Sequence, residues 1–330
     1  MSLLYAGHRP IHILLVKTSS LGDILHNLPV VTDIKRHYPE AQIDWLVEEN
    51  FVALPRLHSA VNDVIPVALR RWRGKLLRPA TWRQIRSFRT LLSAQHYDFA
   101  IDTQGLIKSA LLMLGVDGQR CGFDKHCARE PLTSFLYQKT FSVPLGQHAV
   151  ERNRQLVAQA LGYALDEPAD YGIRASSFER FRWLGQDDYA VLLHSTSRND
   201  KLWDETNWIS LGVYLRKKNI NSILPWGCEA ERLRSLRLAE SIPGAITPPH
   251  LGLNDAAALL GGALAVVGVD TGLSHLAVAL RKPTIGIYTA TDPVLTGLHG
   301  GENIVNLGGI NQAPDVSAVT TALQQILALR

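Results

Sequence analysis

The sequence predicts an α/β protein made of two doubly wound halves, and three observations carry that expectation. The chain has 330 residues, about right for two domains. Short β-branched runs alternate with longer helical segments, which is the pattern of βαβ units around parallel sheets. Near the middle an acidic stretch containing proline and glycine, Leu165 to Gly172 (LDEPADYG), interrupts the alternation and reads as a linker. The resulting division is a first domain at 1–165, a linker at 166–186 and a second domain at 187–312. A C-terminal helix at 313–330 is expected to be able to pack back on the first domain.

Each element follows from local pattern. In the first half the runs Ile11 to Val16 (IHILLV), Gln42 to Val47, Val61 to Val67 and Tyr97 to Asp102 (YDFAID) read as strands. Helical patterns run from the turn after the first strand to about Tyr38, and over Leu106 to Leu114. In the second half the strands expected are Tyr189 to His194, Ile220 to Pro225, Ala245 to Ile246, Ala263 to Asp270, Thr284 to Tyr288 and Ile304 to Asn306. Asp315 to Leu329 carries Val319, Leu323, Ile326 and Leu327 at helical spacing. Sheets wound this way bind ligands beyond the carboxyl ends of their strands, so the active site is expected in the cleft between the halves.

Composition narrows the function. At 46% hydrophobic and 19% charged, the chain has none of the depletion that marks disorder. Its formal charge of +4 is too small to imply a nucleic acid partner. That mean hides one segment, however. Between Val64 and Tyr97 lie Arg70, Arg71, Arg73, Lys75, Arg78, Arg83, Arg86 and Arg89 and no acid, which leaves 26 basic against 30 acidic groups elsewhere. Trp72, Trp82, Ile85, Phe88, Leu91 and Leu92 are interleaved with them. A basic amphipathic stretch of this kind suits an anionic partner, or it is simply a solvated helix face. Cys121, Cys127 and Cys228 have no metal-site spacing and suit reduced thiols in the cytoplasm, and no metal is expected. The N-terminal residues lack signal-peptide features, and the uncharged run Ala256 to Val269 is too short to span a bilayer.

Neither a GxxxxGK[ST] phosphate loop nor a GxGxxG after the first strand is present. Three other turns hold the chemistry. Lys17-Thr18-Ser19-Ser20-Leu21-Gly22-Asp23 follows the first strand; Asp23 there is either a general base for a hydroxyl or the partner of an N-capping Ser20. Leu193 to Lys201 (LHSTSRNDK) groups three hydroxyls with two cations, a set that can hold phosphate oxygens. Val269 to His275 (VDTGLSH) leaves a buried strand and opens a helix, whose N-terminus favours anions.

The ordered set KTSSLGD, DTQGLIKS, AREPL, HSTSRNDK, LPWG and VDTGLSHLA, spread from Ile11 to Leu327, resembles glycosyltransferase family 9, the ADP-heptose:lipopolysaccharide heptosyltransferases. Within it, the sequence is most similar to members that add the first heptose. The resemblance implies a GT-B fold of two Rossmann-like domains. It implies transfer of L-glycero-D-manno-heptose from ADP-heptose to a Kdo residue of Kdo2-lipid A, with inversion. Asp23 would be the catalytic base. Thr196, Ser197 and Lys201 would hold the donor diphosphate, with Ser197 where relatives often have threonine. Glu231 would hold the ribose, in a register that Glu229 also competes for, and Asp270, Thr271, Gly272 and His275 would complete the donor site. Ser20, Gly22, Arg70, Arg71, Arg73, Lys75, Lys108 and Arg129 would face the anionic acceptor. A peripheral position on the cytoplasmic face of the inner membrane follows from that acceptor.

Three rivals remain at this level: a family member acting on a heptosylated acceptor, a nucleotide-sugar epimerase of the same fold, and a membrane-surface binding module without catalysis. His26, His37, His58 and His96 read as surface or packing residues. Trp203, Trp208 and Trp226 read as packing residues, with Trp226 placed to border the adenine.

Overall fold

The computed structural model describes residues 9–173, 181–185, 187–301 and 303–328. It divides into two units, 1–172 and 173–330, a boundary that falls inside the expected linker; residues 174–180 and 186 of that linker lie outside the described residues.

In the first unit, β1 (His12–Val16), β2 (Gln42–Glu48), β3 (Asp63–Val67), β4 (His96–Asp102), β5 (Asp117–Phe123) and β6 (Lys139–Phe141) form one sheet in the order β3-β2-β1-β4-β5-β6. Every pairing is parallel. The order reverses beside β1, and Val16 pairs with both Leu46 and Asp102, so the chain leaves β1 between the carboxyl ends of β2 and β4. One face of the sheet is sealed by the helix Pro79–Ser93, whose Phe88 and Leu92 bury against Trp72, Tyr97 and Met113. At the opposite end, Arg154 donates to both oxygens of Asp33 at 2.7 and 3.1 Å, a buried bidentate pair that ties the helix Ala149–Leu161 to Leu28–His37.

β5 and β6 were not expected from the sequence pattern. β5 alternates exposed and half-buried residues over its first four positions, ends in three buried ones and carries two glycines. Both glycines are required sterically: a Cβ at Gly118, which has a φ of 153°, would collide with the Tyr97 carbonyl, and one at Gly122 would collide with the Tyr137 ring. The packing that demands them removes the side chains that would advertise a strand.

In the second unit, β7 (Tyr189–Leu193), β8 (Asn221–Ile223), β9 (Ala265–Val269), β10 (Thr284–Tyr288) and β11 (Ile304–Gly308) form a parallel sheet in the order β11-β10-β9-β7-β8. The strand expected at Ala245 to Ile246 contracts to one parallel bridge between Ile246 and Ile223, outside β8. Counting that bridge as a rudimentary strand gives the second sheet the same winding as the first.

The C-terminal helix Val316–Ala328 sends Val319, Leu323 and Ile326 into the second unit's core with Trp203, Trp208 and Leu211. Among the described residues no helix is long and apolar enough to cross a membrane.

Candidate active site

In the first unit the turn after β1 is held from beneath. The side-chain carbonyl of Gln104 accepts from the backbone N–H groups of Thr18 and Ser19 at 3.0 and 3.2 Å. Gln104 is set in turn by Asp102, whose buried carboxylate accepts from Gln104 N–H at 2.7 Å, Ser109 Oγ at 2.7 Å and Tyr137 Oη at 2.8 Å. Burial pushes the Asp102 pKa up, and the bonds from Ser109 and Tyr137 oppose the rise. The turn is therefore fixed by residues 86 positions away in sequence.

Asp23 lies in the first turn of the helix Leu21–Leu25, half-buried. Its Oδ2 accepts from the Ser20 N–H at 2.8 Å and the Ser20 hydroxyl at 3.0 Å. The capping arrangement expected from sequence is thus present, and it orients the carboxylate. Gly22 is in the same turn. Beneath it Lys17 is buried, donating to the Thr103 carbonyl at 2.6 Å and to Asn153 Oδ1 at 3.4 Å. Burial pushes the Lys17 pKa below the usual lysine range, while Asp23 and Asp102 pull it back up. Arg129 and Arg152 act on the same ammonium, which puts both guanidiniums in the field of this turn.

The expected acceptor residues separate into four groups. Lys108 reaches the turn, donating to Ser19 Oγ at 3.2 Å, and Arg129 is exposed beside the Gly105 turn, where Glu130 N–H donates to the Gly105 carbonyl at 3.0 Å. Arg70 is one residue-link away: its N–H donates to Glu48 Oε1 at 3.1 Å, and Glu48 N–H donates to the Thr18 carbonyl at 3.1 Å. Arg71 already has partners of its own. Its guanidinium is taken by Glu49, at 3.0 Å to each oxygen, and by Gln84 Oε1 at 2.7 Å. Arg73 and Lys75 are exposed, with no hydrogen bond or ion pair to the Asp23 turn among the described residues.

In the second unit the turns after β7 and β9 are locked together by Asp270. Leu193 pairs with Gly268, which brings the two turns side by side. Lys201 Nζ and Thr291 Oγ1 each donate to Asp270 Oδ2 at 2.7 Å, and Thr196 Oγ1 donates to the Asp270 carbonyl at 2.9 Å. Ser197 lies in the same turn. Below it His194 is buried between two hydroxyls. Ser235 gives its proton to the Leu224 carbonyl, so His194 Nε2 carries the hydrogen toward Ser235 Oγ at 2.9 Å and Nδ1 accepts from Ser195 at 2.8 Å. Burial pushes the His194 pKa down to about 3, with Arg234 adding to the drop, and the ring is neutral at physiological pH.

Thr271 stands at the N-cap position of the helix Gly272–Ala279, and Ser274 Oγ donates to the Val269 carbonyl at 2.9 Å. Gly268 makes room for it, since a Cβ there would strike Ser274 Oγ. His275 is buried within that helix. Glu229 and Glu231, the two candidates for one register, have different partners. Glu229 is exposed and bidentate to Arg232, at 2.7 and 2.8 Å, whereas Glu231 turns back to the LPWG loop and accepts from Gly227 N–H at 2.7 Å. Trp226 in that loop donates to the Pro248 carbonyl at 2.8 Å and packs against His250. Trp203 and Trp208 are core residues, as expected.

Sequence reasoning missed Lys17, Asp102, Gln104, Arg152 and His194. The usable signal was a polar residue directly at the carboxyl end of an apolar strand, which applies to Lys17, Asp102 and His194 but not to the other two.

Residues 85–325 match the model of glycosyltransferase family 9 (heptosyltransferase). The chain belongs to glycosyltransferase family 9. It is 45% identical over 292 residues to lipopolysaccharide heptosyltransferase 1 of Salmonella typhimurium, covering 87% of this chain and 91% of that one. It is also 45% identical over 300 residues to lipopolysaccharide heptosyltransferase 1 of Pseudomonas aeruginosa, covering 88% and 82%. Among solved structures, the E. coli heptosyltransferase WaaC with ADP superposes with a TM-score of 0.88 at 41% identity, covering 96% of this chain and all of that one. The E. coli ADP-heptose LPS heptosyltransferase II superposes at 0.76 with 18% identity, a likeness of fold alone. This family 9 chain is therefore a transferase with the α/β fold of two parallel sheets that its family shares.

Proposed function

We propose that this protein is an inverting heptosyltransferase that moves L-glycero-D-manno-heptose from ADP-heptose to a Kdo residue of Kdo2-lipid A. The observation that carries the acceptor choice is a contrast of identities. The chain is 42–45% identical to four lipopolysaccharide heptosyltransferases 1 from enteric bacteria and Pseudomonas, against 26% to heptosyltransferase 3 of E. coli.

In this reading Asp23 accepts the proton of the attacking Kdo hydroxyl, the new bond forms at the anomeric carbon, and the bond from that carbon to the diphosphate oxygen breaks with inversion. Ser20 aims the carboxylate, and Lys17, Arg70, Lys108 and Arg129 supply the positive field an acceptor rich in carboxylates and phosphates requires. Lys201, aligned by Asp270, meets the charge that develops on departing ADP, helped by the hydroxyls of Thr196 and Ser197 and by the helix N-terminus at Thr271 and Gly272. Glu231 and the Trp226 loop take the nucleoside. Because the acceptor is a lipid, the protein works peripherally on a membrane surface.

The test is incubation with ADP-heptose and either Kdo2-lipid A or the same acceptor already bearing its first heptose. The expected product forms only on the unheptosylated acceptor. Activity confined to the heptosylated one would overturn the assignment, as would epimerised ADP-sugar formed with no acceptor present.

A further inference from the structure

The turn at Lys75 to Arg78 and the helix Pro79–Ser93 present a face that the chemistry above does not use. Arg73, Lys75, Arg78, Arg83, Arg86 and Arg89 are exposed there, and among the described residues none pairs with a carboxylate. Apolar side chains stand between them: Leu77 is 100% exposed, Trp82 59%, Leu91 55% and Leu76 47%. The exposure is built in. Trp82 Nε1 donates to the Leu76 carbonyl, Thr81 Oγ1 donates to the Lys75 carbonyl, each at 2.8 Å, and Arg78 N–H donates to Lys75 at 3.0 Å. A turn bonded on both flanks cannot fold Leu77 back onto the protein. Beside it is a cleft of about 380 Å³ whose walls include Trp82, Ile85, Leu112 and Leu114 together with Arg86 and Arg89. That volume is in the range of small-molecule sites.

We propose that this face docks on a bilayer of anionic phospholipid, with Leu76 and Leu77 entering the interface, the cleft taking an acyl segment and Arg86 and Arg89 holding lipid phosphate. Charge and apolarity together select the occupant. A soluble phosphate would engage the cations and leave Leu77 in water; an apolar peptide would cover Leu77 and leave six cations unmatched. An anionic amphiphile satisfies both sets. The inference rests on the peripheral-membrane reading and adds the face, the lipid class and the cleft.

The test uses the whole protein and vesicles of phosphatidylcholine, alone or with one third phosphatidylglycerol, with and without bromine on the acyl chains. The parent is expected to bind only the anionic vesicles, and brominated chains to quench tryptophan emission, most of that quenching being lost in Trp82→Phe. The double variant Arg86→Gln, Arg89→Gln should bind roughly 30-fold more weakly, and Leu77→Asp about tenfold. Both should keep parental turnover on a soluble acceptor stripped of its acyl chains. If the parent binds but the quenching survives Trp82→Phe, or Leu77→Asp changes nothing, this site is overturned and the membrane reading stands. Binding to acceptor-lipid vesicles but not to phosphatidylglycerol also overturns it. A parent that binds no vesicle overturns both readings.

Discussion

The two units share one winding and use the same residue types in opposite ways. After β1 the cation is the buried member: Lys17 sits under the turn and the carboxylate of Asp23 is bonded only to Ser20 of its own turn among the contacts described. After β7 and β9 the carboxylate is the anchor: Asp270 is consumed by Lys201 and Thr291, and it fixes the ammonium. The supports differ too. An amide, Gln104, holds the first turn, whereas an imidazole, His194, braces the second. In the proposed reaction, a carboxylate that takes a proton and a cation that meets a leaving group would thus emerge from one scaffold by exchanging which partner is fixed.

The sharpest way to break this comparison is Asp23→Asn. Turnover should fall by about 10²- to 10⁴-fold, while the lost cap contact costs about 0.5–2 kcal/mol of stability, both read by steady-state kinetics and thermal unfolding. Turnover within a few-fold of the parent would reduce Asp23 to a cap. In the second unit, Lys201→Met should weaken donor use by roughly 100-fold, the scale of a lost transition-state donor. Asp270→Asn should reproduce part of that loss, and the double variant should cost far less than the sum, because each removes the same pair. Additive losses would separate Asp270 from Lys201.

The supports predict different responses to acid. The folded-state pKa of His194 lies near 3, below the 6.5 of an unperturbed histidine, so the unfolded chain binds the extra proton first. Stability therefore declines as pH falls from about 6.5 toward 3, by about 2 kcal/mol at pH 5 from this ring. His194→Gln should flatten that part of the unfolding profile. Gln104 does not titrate. Gln104→Leu strands two backbone N–H groups, at about 1–3 kcal/mol each if they stay buried, and should lower kcat roughly tenfold without altering ADP affinity. An equal loss of both would make Gln104 a general stabiliser instead of a positioning residue.

Much of this was readable in the linear sequence, for local reasons. β1, β2, β7, β9 and β10 announce themselves because strands buried along nearly their whole length are apolar and β-branched, and Asp270 stands out as the polar residue that ends one of them, whereas Asp23 and Lys201 were legible only as polar residues in the turns that follow β1 and β7. Glu231 was legible as a candidate, but what distinguishes it from Glu229, the partners of each, was not. What stayed hidden depends on distance in sequence: Gln104 is an ordinary polar residue until β1 and β4 are paired, and Arg71 is an ordinary surface cation until β2 brings Glu49 beside it. β5 was hidden because close packing replaced its informative side chains with glycine.

Gly122 ties distant packing to the candidate site. Tyr137 fills the space over Gly122 and gives its proton to Asp102, which orients Gln104, which holds the turn bearing Asp23. A single methyl added at that position would pass through Tyr137, Asp102 and Gln104 to the turn, so in the proposed reaction a packing fault on β5 would be felt as a lost sugar transfer.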